Sequence, residues 1–399
     1  MVILSKKVLF KDFRLIDGTG GEPVENAYML VEDDKISKIG KVDELENMDG
    51  VETVDLKGKT VMPGLINSHV HITMEPIGDP TVLMAKESQS KTALRGVANL
   101  RKHLLAGTTF FRDAGAGFGI DLALRDAVNE GLVEGPQFLA AGRCITMTGG
   151  HGWFIGRESD GADEVRKATR EQLKAGADLI KIMATGGVMT KGVEPGSPQL
   201  SMEEMAAAVE EAHKAGKKTA SHAQGTQGIK NAVLAGIDSI EHGIFLNDEI
   251  VELMVERGTY LVPTLVAPYF IVANGIGAGI PKDVVDKANY VMEYHKESFK
   301  KAYKAGVKIA MGTDAGTPFN FHDKAPYELK FMVEYGMSPM DAIVASTKGS
   351  ADLLGILDDY GTLEDGKYAD FLVLDENPLE NLDTLFALNQ VYKLGKEVK

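Results

Sequence analysis

The chain carries one cysteine, Cys144, in 399 residues. No intrachain disulfide can form and a thiolate-based metal site is excluded, which suits a reducing compartment, the cytoplasm. A basic surplus is missing too: 58 acidic against 43 basic side chains leave a formal charge of −15. Nucleic acid and anionic membranes both need a basic face, so the expected partner is a small molecule and neither of those. Long apolar runs are also lacking. No stretch reaches the ~18 apolar residues of a membrane span, and the opening MVILSKKVLFKDFRL is interrupted by Lys6 and Lys7 where a signal peptide would be continuously apolar.

What is present is the composition of a soluble globular protein, 44% hydrophobic and 25% charged, with 44 glycines for tight turns. The length suits a barrel of roughly 250 to 300 residues plus a small satellite domain. Residues 1 to about 60 alternate short β-rich runs with Gly and Asp turns, the pattern of antiparallel strands. From about 63 the rhythm becomes strand, loop, amphipathic helix. The strand candidates are LINSHVHI, TTFFRDAG, PQFLAAG, LIKIMATGG, KTASHAQG, SIEHGI, YLVPTL and KIAMGTD. Helical stretches such as SMEEMAAAVEEAHKAG lie between them and several end in Gly, a C-terminal signal.

Eight such units predict an α/β chain folded as a closed parallel (β/α)8 TIM barrel over 61–359. SPMDAIVASTKGSADLLG reads as a further helix with Ser338 as its cap and Pro339 in its first turn. The β-rich tail, 360–399, would join 1–60 in one small β domain made by both chain ends. PYFIVANGIGAGIPKD, 268 to 283, is a candidate lid over the barrel mouth.

A barrel works at the carboxyl ends of its strands. There the candidates place His69 and His71 on the first strand, Lys181 on the fourth, His222 on the fifth, His242 on the sixth and Asp314 after the eighth. His69 and His71 are two apart, so a strand projects both to one side. Each residue alone has an ordinary reading: a histidine satisfied in a core, Lys181 paired with Asp178 or Glu241, Asp314 capping a helix. Together they form a donor set of imidazoles and a carboxylate for zinc or a similar divalent ion. It is too large for one tetrahedral ion, and it suits two ions bridged by a hydroxide that acts as the nucleophile. An ammonium at Lys181 would be repelled there, whereas a lysine that has taken up carbon dioxide is an anionic carbamate.

PGLINSHVHI, LIKIM, SHAQG, IEHG and GTDAG, in that order, and the closing GTLEDGKYADFLVLD resemble the amidohydrolase superfamily over nearly the whole chain. The resemblance implies a distorted (β/α)8 barrel with a small β-sandwich domain from both chain ends. It implies that His69 and His71 bind one ion, His222 and His242 the other, that Lys181 bridges as a carbamate, and that Asp314 is both ligand and proton shuttle. Single-metal deaminase branches carry a glutamate after the fifth strand and lack the lysine. Here Ala223, Gln224 and Gly225 follow His222, so the binuclear hydrolases are favoured.

Within them TMTGGHGW, IKIMATGGVMT and VPTLVAPY look most like the group of prolidase-like and Xaa-Arg/Lys dipeptidases, related to imidazolonepropionases and mycotoxin-cleaving amidases. The expected reaction is cleavage of a dipeptide (Xaa-Pro or Xaa-Arg/Lys) or an N-acyl amino acid. A cyclic-amide hydrolase or an aryl-amide amidase is the alternative. By position in that group, His151 and Tyr269 would meet the substrate and share in catalysis, with Tyr260 competing for the tyrosine role. Arg112, Arg157 and Lys191 are the candidates for a substrate carboxylate, Arg112 first, unless it pairs with Asp113. A metal-binding scaffold without activity is disfavoured, because binding alone needs no shuttle at Asp314. The chain is expected to form a homo-oligomer.

Overall fold

A computed structural model describes residues 6–45, 48 and 50–399. Residues 1–5, 46, 47 and 49, which fall in the stretch expected to be β-rich, lie outside it.

Between residues 65 and 262 parallel strands recur with helices between most of them. Leu65–Val70, Thr108–Asp113 and Gln137–Ala140 form one parallel sheet. Leu179–Met183, Lys218–Ala223, Ser239–His242 and Tyr260–Val262 follow as successive parallel neighbours in a second. Asp178 joins the two sheets, since its N–H donates to Ala140 O at 2.8 Å and its carboxylate accepts from Ala140 N at 3.1 Å. Helices Gln89–Leu105, Ile120–Asn129, Met202–Lys214, Thr226–Leu234 and Asp248–Arg257 lie between strands. The sequence reasons are local. Ser201 caps Met202–Lys214 in a capping box with Glu204, and Met205, Ala208, Val209 and Ala212 form its buried stripe. Such alternating parallel units are consistent with a TIM-barrel-like fold.

The expected eighth strand, KIAMGTD, is not a continuous ladder but makes single bridges on both sides, Leu261 to Ile309 and Val70 to Ala315. The cause is competition for its backbone groups. Met311 N donates to Ala345 O, and Ile66 N on the neighbouring strand donates to Ser346 O, so the 345–346 turn wedges between the two chains. Farther along they meet directly, with Ser68 N on Met311 O at 2.7 Å and Asp314 N on His69 O at 2.9 Å. Only a glycine fits at 312, where a Cβ would stand 2.3 Å from Val262 Cγ1 and 2.9 Å from His69 Cβ.

Two short strands, Cys144–Thr146 and Gly156–Glu158, were not foreseen. They pair in parallel, the first meets Leu179–Met183 at Ile182, and together they frame the GGHG loop.

Both chain ends share one eight-stranded sheet. Phe371–Leu374 pairs antiparallel with Thr60–Pro63, and Lys7–Leu15 pairs antiparallel with Val24–Glu32. The antiparallel expectation for the N-terminal part is corrected in one respect: Lys7–Leu15 runs parallel to Glu52–Asp55 and Thr60–Pro63. These two strands lead the chain into the first barrel-type strand and must run its way. Among the described residues no helix is long and apolar enough to cross a membrane.

Candidate active site

Because the strands run parallel, their carboxyl ends share one rim. Val70 and Ile72 turn outward into an apolar cluster with Leu100 and Phe111, which sends His69 and His71 to the other side. His69 Nε2 and His71 Nε2 stand 3.4 Å and 3.5 Å from Asp314 Oδ1, and Lys181 Nζ stands 3.4 Å from His69 Nε2. The rings continue as a chain, with centroids 5.2 Å apart for His69 and His242, 4.6 Å for His242 and His222, and 3.9 Å for the stacked pair His222 and His151. All six predicted ligands and His151 line one cavity of about 490 Å³.

His69, His71, His242 and His151 are each held by Nδ1, leaving Nε2 for the centre. His71 Nδ1 lies 2.9 Å from Gly115 O, His242 Nδ1 2.7 Å from Thr264 Oγ1, and His151 Nδ1 2.7 Å from Thr190 Oγ1. His222 Nε2 is buried with no hydrogen-bond partner among the described residues. A buried ring nitrogen without a partner is costly unless something binds it, and an ion does. His69, His242 and Asp314 offer one ligand atom each within 4.8 Å of one another. These residues fit a divalent metal.

The backbone is strained where these groups converge. His242, Thr264 and Asp314 have φ of 72°, 55° and 59°, each costing about 1–3 kcal/mol. Hydrogen bonds hold them: His295 Nε2 lies 3.0 Å from His242 O, and Asn320 Nδ2 donates to Asp314 O at 2.9 Å.

Electrostatics favour neutral rings. Burial, with the Lys181 charge adding to it, drives His69 well below the usual imidazole range and His71 down to about 4. Burial alone is the main cause for His222 and His242, which also lie well below it. Neutral imidazole is the ligating form. Burial pushes the Lys181 ammonium below its usual range against the pull of Glu241 and Asp314. The Asp314 carboxyl is raised by burial to about 7, with Lys181 opposing.

A match to the family model described as "Amidohydrolase family" spans residues 60–398. The chain belongs to the amidohydrolase family. It is a hydrolytic enzyme acting on amide bonds, in a family that generally binds metal ions. This amidohydrolase is 33% identical to ochratoxinase of Aspergillus niger, over 96% of its own length and 85% of that protein. A crystal structure of a Xaa-Pro dipeptidase with methionine bound in its active site superposes with a TM-score of 0.92 at 35% identity, covering 99% of this chain and 100% of that one. A prolidase complexed with N-methylphosphonate-L-proline gives 0.92 at 30% identity with the same coverage.

Two residues expected to contact the substrate stand outside the cavity lining of this amidohydrolase. Arg112 is 1% exposed and lies beneath the rings, not in the cavity: it donates to Glu241 at 2.6 Å and to Ser68 O at 2.5 Å. Nor does it pair with Asp113, whose carboxylate accepts from Ile72 N and Gly115 N. Tyr269 is outside the lining as well. It sits on the helix Val266–Asn274 with its ring packed on Phe331, centroids 4.7 Å apart, while Ala267, Pro268 and Ile271 of that helix face the cavity. The competing Tyr260 is the first residue of its strand, at the opposite end, and donates to Asp352.

Among the carboxylate candidates, Arg157 is bound to Glu171 at 3.0 Å and does not line the cavity. Lys191 does line it and is exposed, with no ion-pair partner among the described residues. The candidate lid contributes Pro268, Ile271, Pro281 and Asp283 to the cavity wall. Gln224, buried with Oε1 unpartnered, is a lining residue that sequence reasoning passed over, although it directly follows SHA on the fifth strand.

Proposed function

We propose that this chain is a binuclear metal-dependent hydrolase that releases an amino acid from a dipeptide of Xaa-Pro or Xaa-Arg/Lys type or from an N-acyl amino acid. The observation that carries the reading is one cavity with six convergent ligand groups at its floor, a mostly apolar wall, and a free lysine, Lys191, at its edge. The apolar wall, with Trp153, Phe154, Met183 and Met189, suits a bulky acyl or side-chain group. The likeness to a Xaa-Pro dipeptidase and a prolidase supports the dipeptide branch. The likeness to ochratoxinase, with Trp153 54% exposed beside the cavity, favours an aryl-amide substrate as the second reading.

The fold behind this reading is a distorted (β/α)8 barrel over 61–359, with 308–314 in the place of its eighth strand. The chain ends, 1–60 and 360–399, make a small β-sandwich domain, supported by Phe10 packing 5.1 Å from the rings of Phe371 and Tyr392 on strands it does not pair with. The single cysteine, buried, suits the cytoplasm.

His69, His71, Lys181, His222, His242 and Asp314 would hold two divalent ions, and zinc suits these donors. When bound, the ions would polarise the scissile carbonyl and activate water. Lys181, whose charged form burial disfavours, would add carbon dioxide at Nζ with loss of a proton, and the resulting carbamate would join the residues that hold the ions. Asp314 accepts a proton at its carboxylate as water attacks and delivers it to the departing amine nitrogen. His151 is oriented by Thr190, and with Thr190 donating to Nδ1 it presents Nε2–H to the substrate carbonyl. Lys191 holds the substrate carboxylate.

A panel of Xaa-Pro and Xaa-Arg/Lys dipeptides, N-acyl and N-aroyl amino acids and cyclic amides, read by amine release, tests the reading. Turnover confined to cyclic amides would overturn it. Lys191→Met should raise KM for substrates with a free carboxylate by about tenfold, the worth of one charge-assisted hydrogen bond, with kcat nearly unchanged. C-terminally amidated analogues should show no change. Equal losses on both would remove Lys191 from substrate recognition.

A further inference from the structure

Beneath the ring cluster lies a charged network that no role above uses. Glu241 is fully buried. Its Oε1 accepts from Arg112 at 2.6 Å and from Ser239 Oγ at 2.6 Å, and its Oε2 stands 2.7 Å from His69 Nδ1. Arg112 also donates to Ser68 O at 2.5 Å and to Ser239 Oγ at 3.1 Å. The four side chains come from three different strands.

Stability alone does not explain such a group. Desolvating a buried ion pair costs about what its attraction returns, and apolar side chains of the same volume commonly do as well. Its chemistry is specific, however. Arg112 and Ser239 both donate to Oε1, which leaves Oε2 facing His69 as an acceptor. His69 Nδ1 must then carry the proton, and Nε2 is left as the lone pair beside Asp314 and Lys181. His242 and His151 rest on threonine hydroxyls, which can donate as well as accept, and His71 rests on a neutral carbonyl. Among these anchored rings only His69 has a full charge behind it.

We propose that Glu241 is a positioning residue for the metal centre: fixed by Arg112 and Ser239, it locks His69 in its Nδ1–H tautomer and keeps Nε2 open as a ligand. Arg112 acts through Glu241 and never meets the substrate. The inference rests on the reading of His69 as a ligand, and a carboxylate behind a ligating imidazole is a recurring way to orient the ring.

Glu241→Gln tests it sharply. Arg112 and Ser239 both donate at the Oε1 position, so the amide oxygen settles there and the amide NH2 turns to His69. Its Nδ1 must then accept, and the proton moves to Nε2, as the same exchange does in other histidine–carboxylate pairs. The 15N shifts of the His69 ring in metal-free protein should report Nδ1–H in the wild type and Nε2–H in the variant. Zinc titration should show one of two ions weakened by about 10- to 100-fold and the other unchanged within about threefold.

Because a lone Arg112 cation could prevent folding, the double variant Arg112→Met/Glu241→Met removes both charges at similar volume. It should fold, show both tautomers of His69 and weaken the same ion. If Glu241→Gln keeps Nδ1–H, or if either variant binds both ions as the wild type does, the network is only a structural ion pair. Should the wild type bind no zinc, the ligand reading fails, while the tautomers of the metal-free proteins still decide whether Glu241 positions His69.

Discussion

Asp314→Asn should keep most of its bound metal and lose about 10² to 10⁴ in kcat, the usual worth of a general acid–base group. Asparagine has the size of aspartate and retains one oxygen for ligation, but it cannot take up a proton. The wild-type carboxylate is placed for both tasks, with Oδ1 3.4–3.5 Å from two ring nitrogens and burial lifting its affinity for a proton to about 7. Elemental analysis alongside kcat separates the two. A variant that keeps two ions and loses less than about tenfold would leave Asp314 as a ligand alone, and the proton would have to travel through another group.

Lys181→Ala should lose metal and activity together, by about 100-fold or more, since even the outer partners of a ligand are worth 10- to 100-fold. The argument is electrostatic. An ammonium 4 Å from a divalent ion is repelled by roughly 8 kcal/mol at an effective dielectric of 20, and a second ion adds to that. The side chain is 1% exposed with its Nζ 3.4 Å from His69 Nε2, so its charge would lie beside any ion that His69 holds. A carbamate reverses the sign of the interaction. Acetate or propionate should therefore partly restore both metal content and turnover in the alanine variant by supplying the missing carboxylate. An unmodified lysine, seen by mass or density in protein that holds two ions, would contradict the carbamate, as would an alanine variant with both ions and wild-type rates.

Residues whose direction follows from a strand were legible one by one. His69, His71, Lys181, His222 and His242 lie on or beside strands whose alternation and carboxyl-end position can be read locally, and all of them reach the cavity. Residues whose direction depends on a helix or on a long-range partner were not. Tyr269 is on the helix Val266–Asn274, and a shift of one residue there turns a side chain by about 100°. The cavity receives Pro268 and Ile271 instead. Arg112 stands near the end of a strand, where a substrate-binding arginine is expected, yet the carboxylate it meets is Glu241, 129 residues away in sequence. Glu241 stands in plain view in IEHG, but only as a possible partner of Lys181.

The sequence by itself determined the order of the first seven barrel-type strands, the cavity-facing side of one donor set and the family, because strand periodicity and motif order are properties of short segments. Tertiary structure alone decided that Arg112 and Glu241 stand behind His69, that Lys191 stands unpaired at the cavity edge among the described residues, and that the sheet shared by the chain ends contains parallel pairs. It also decided that 308–315 bridges its neighbours without forming a full strand. Each of these depends on which distant backbone or side-chain group reaches a hydrogen-bond donor or acceptor first, and that competition is settled only when the chain is packed.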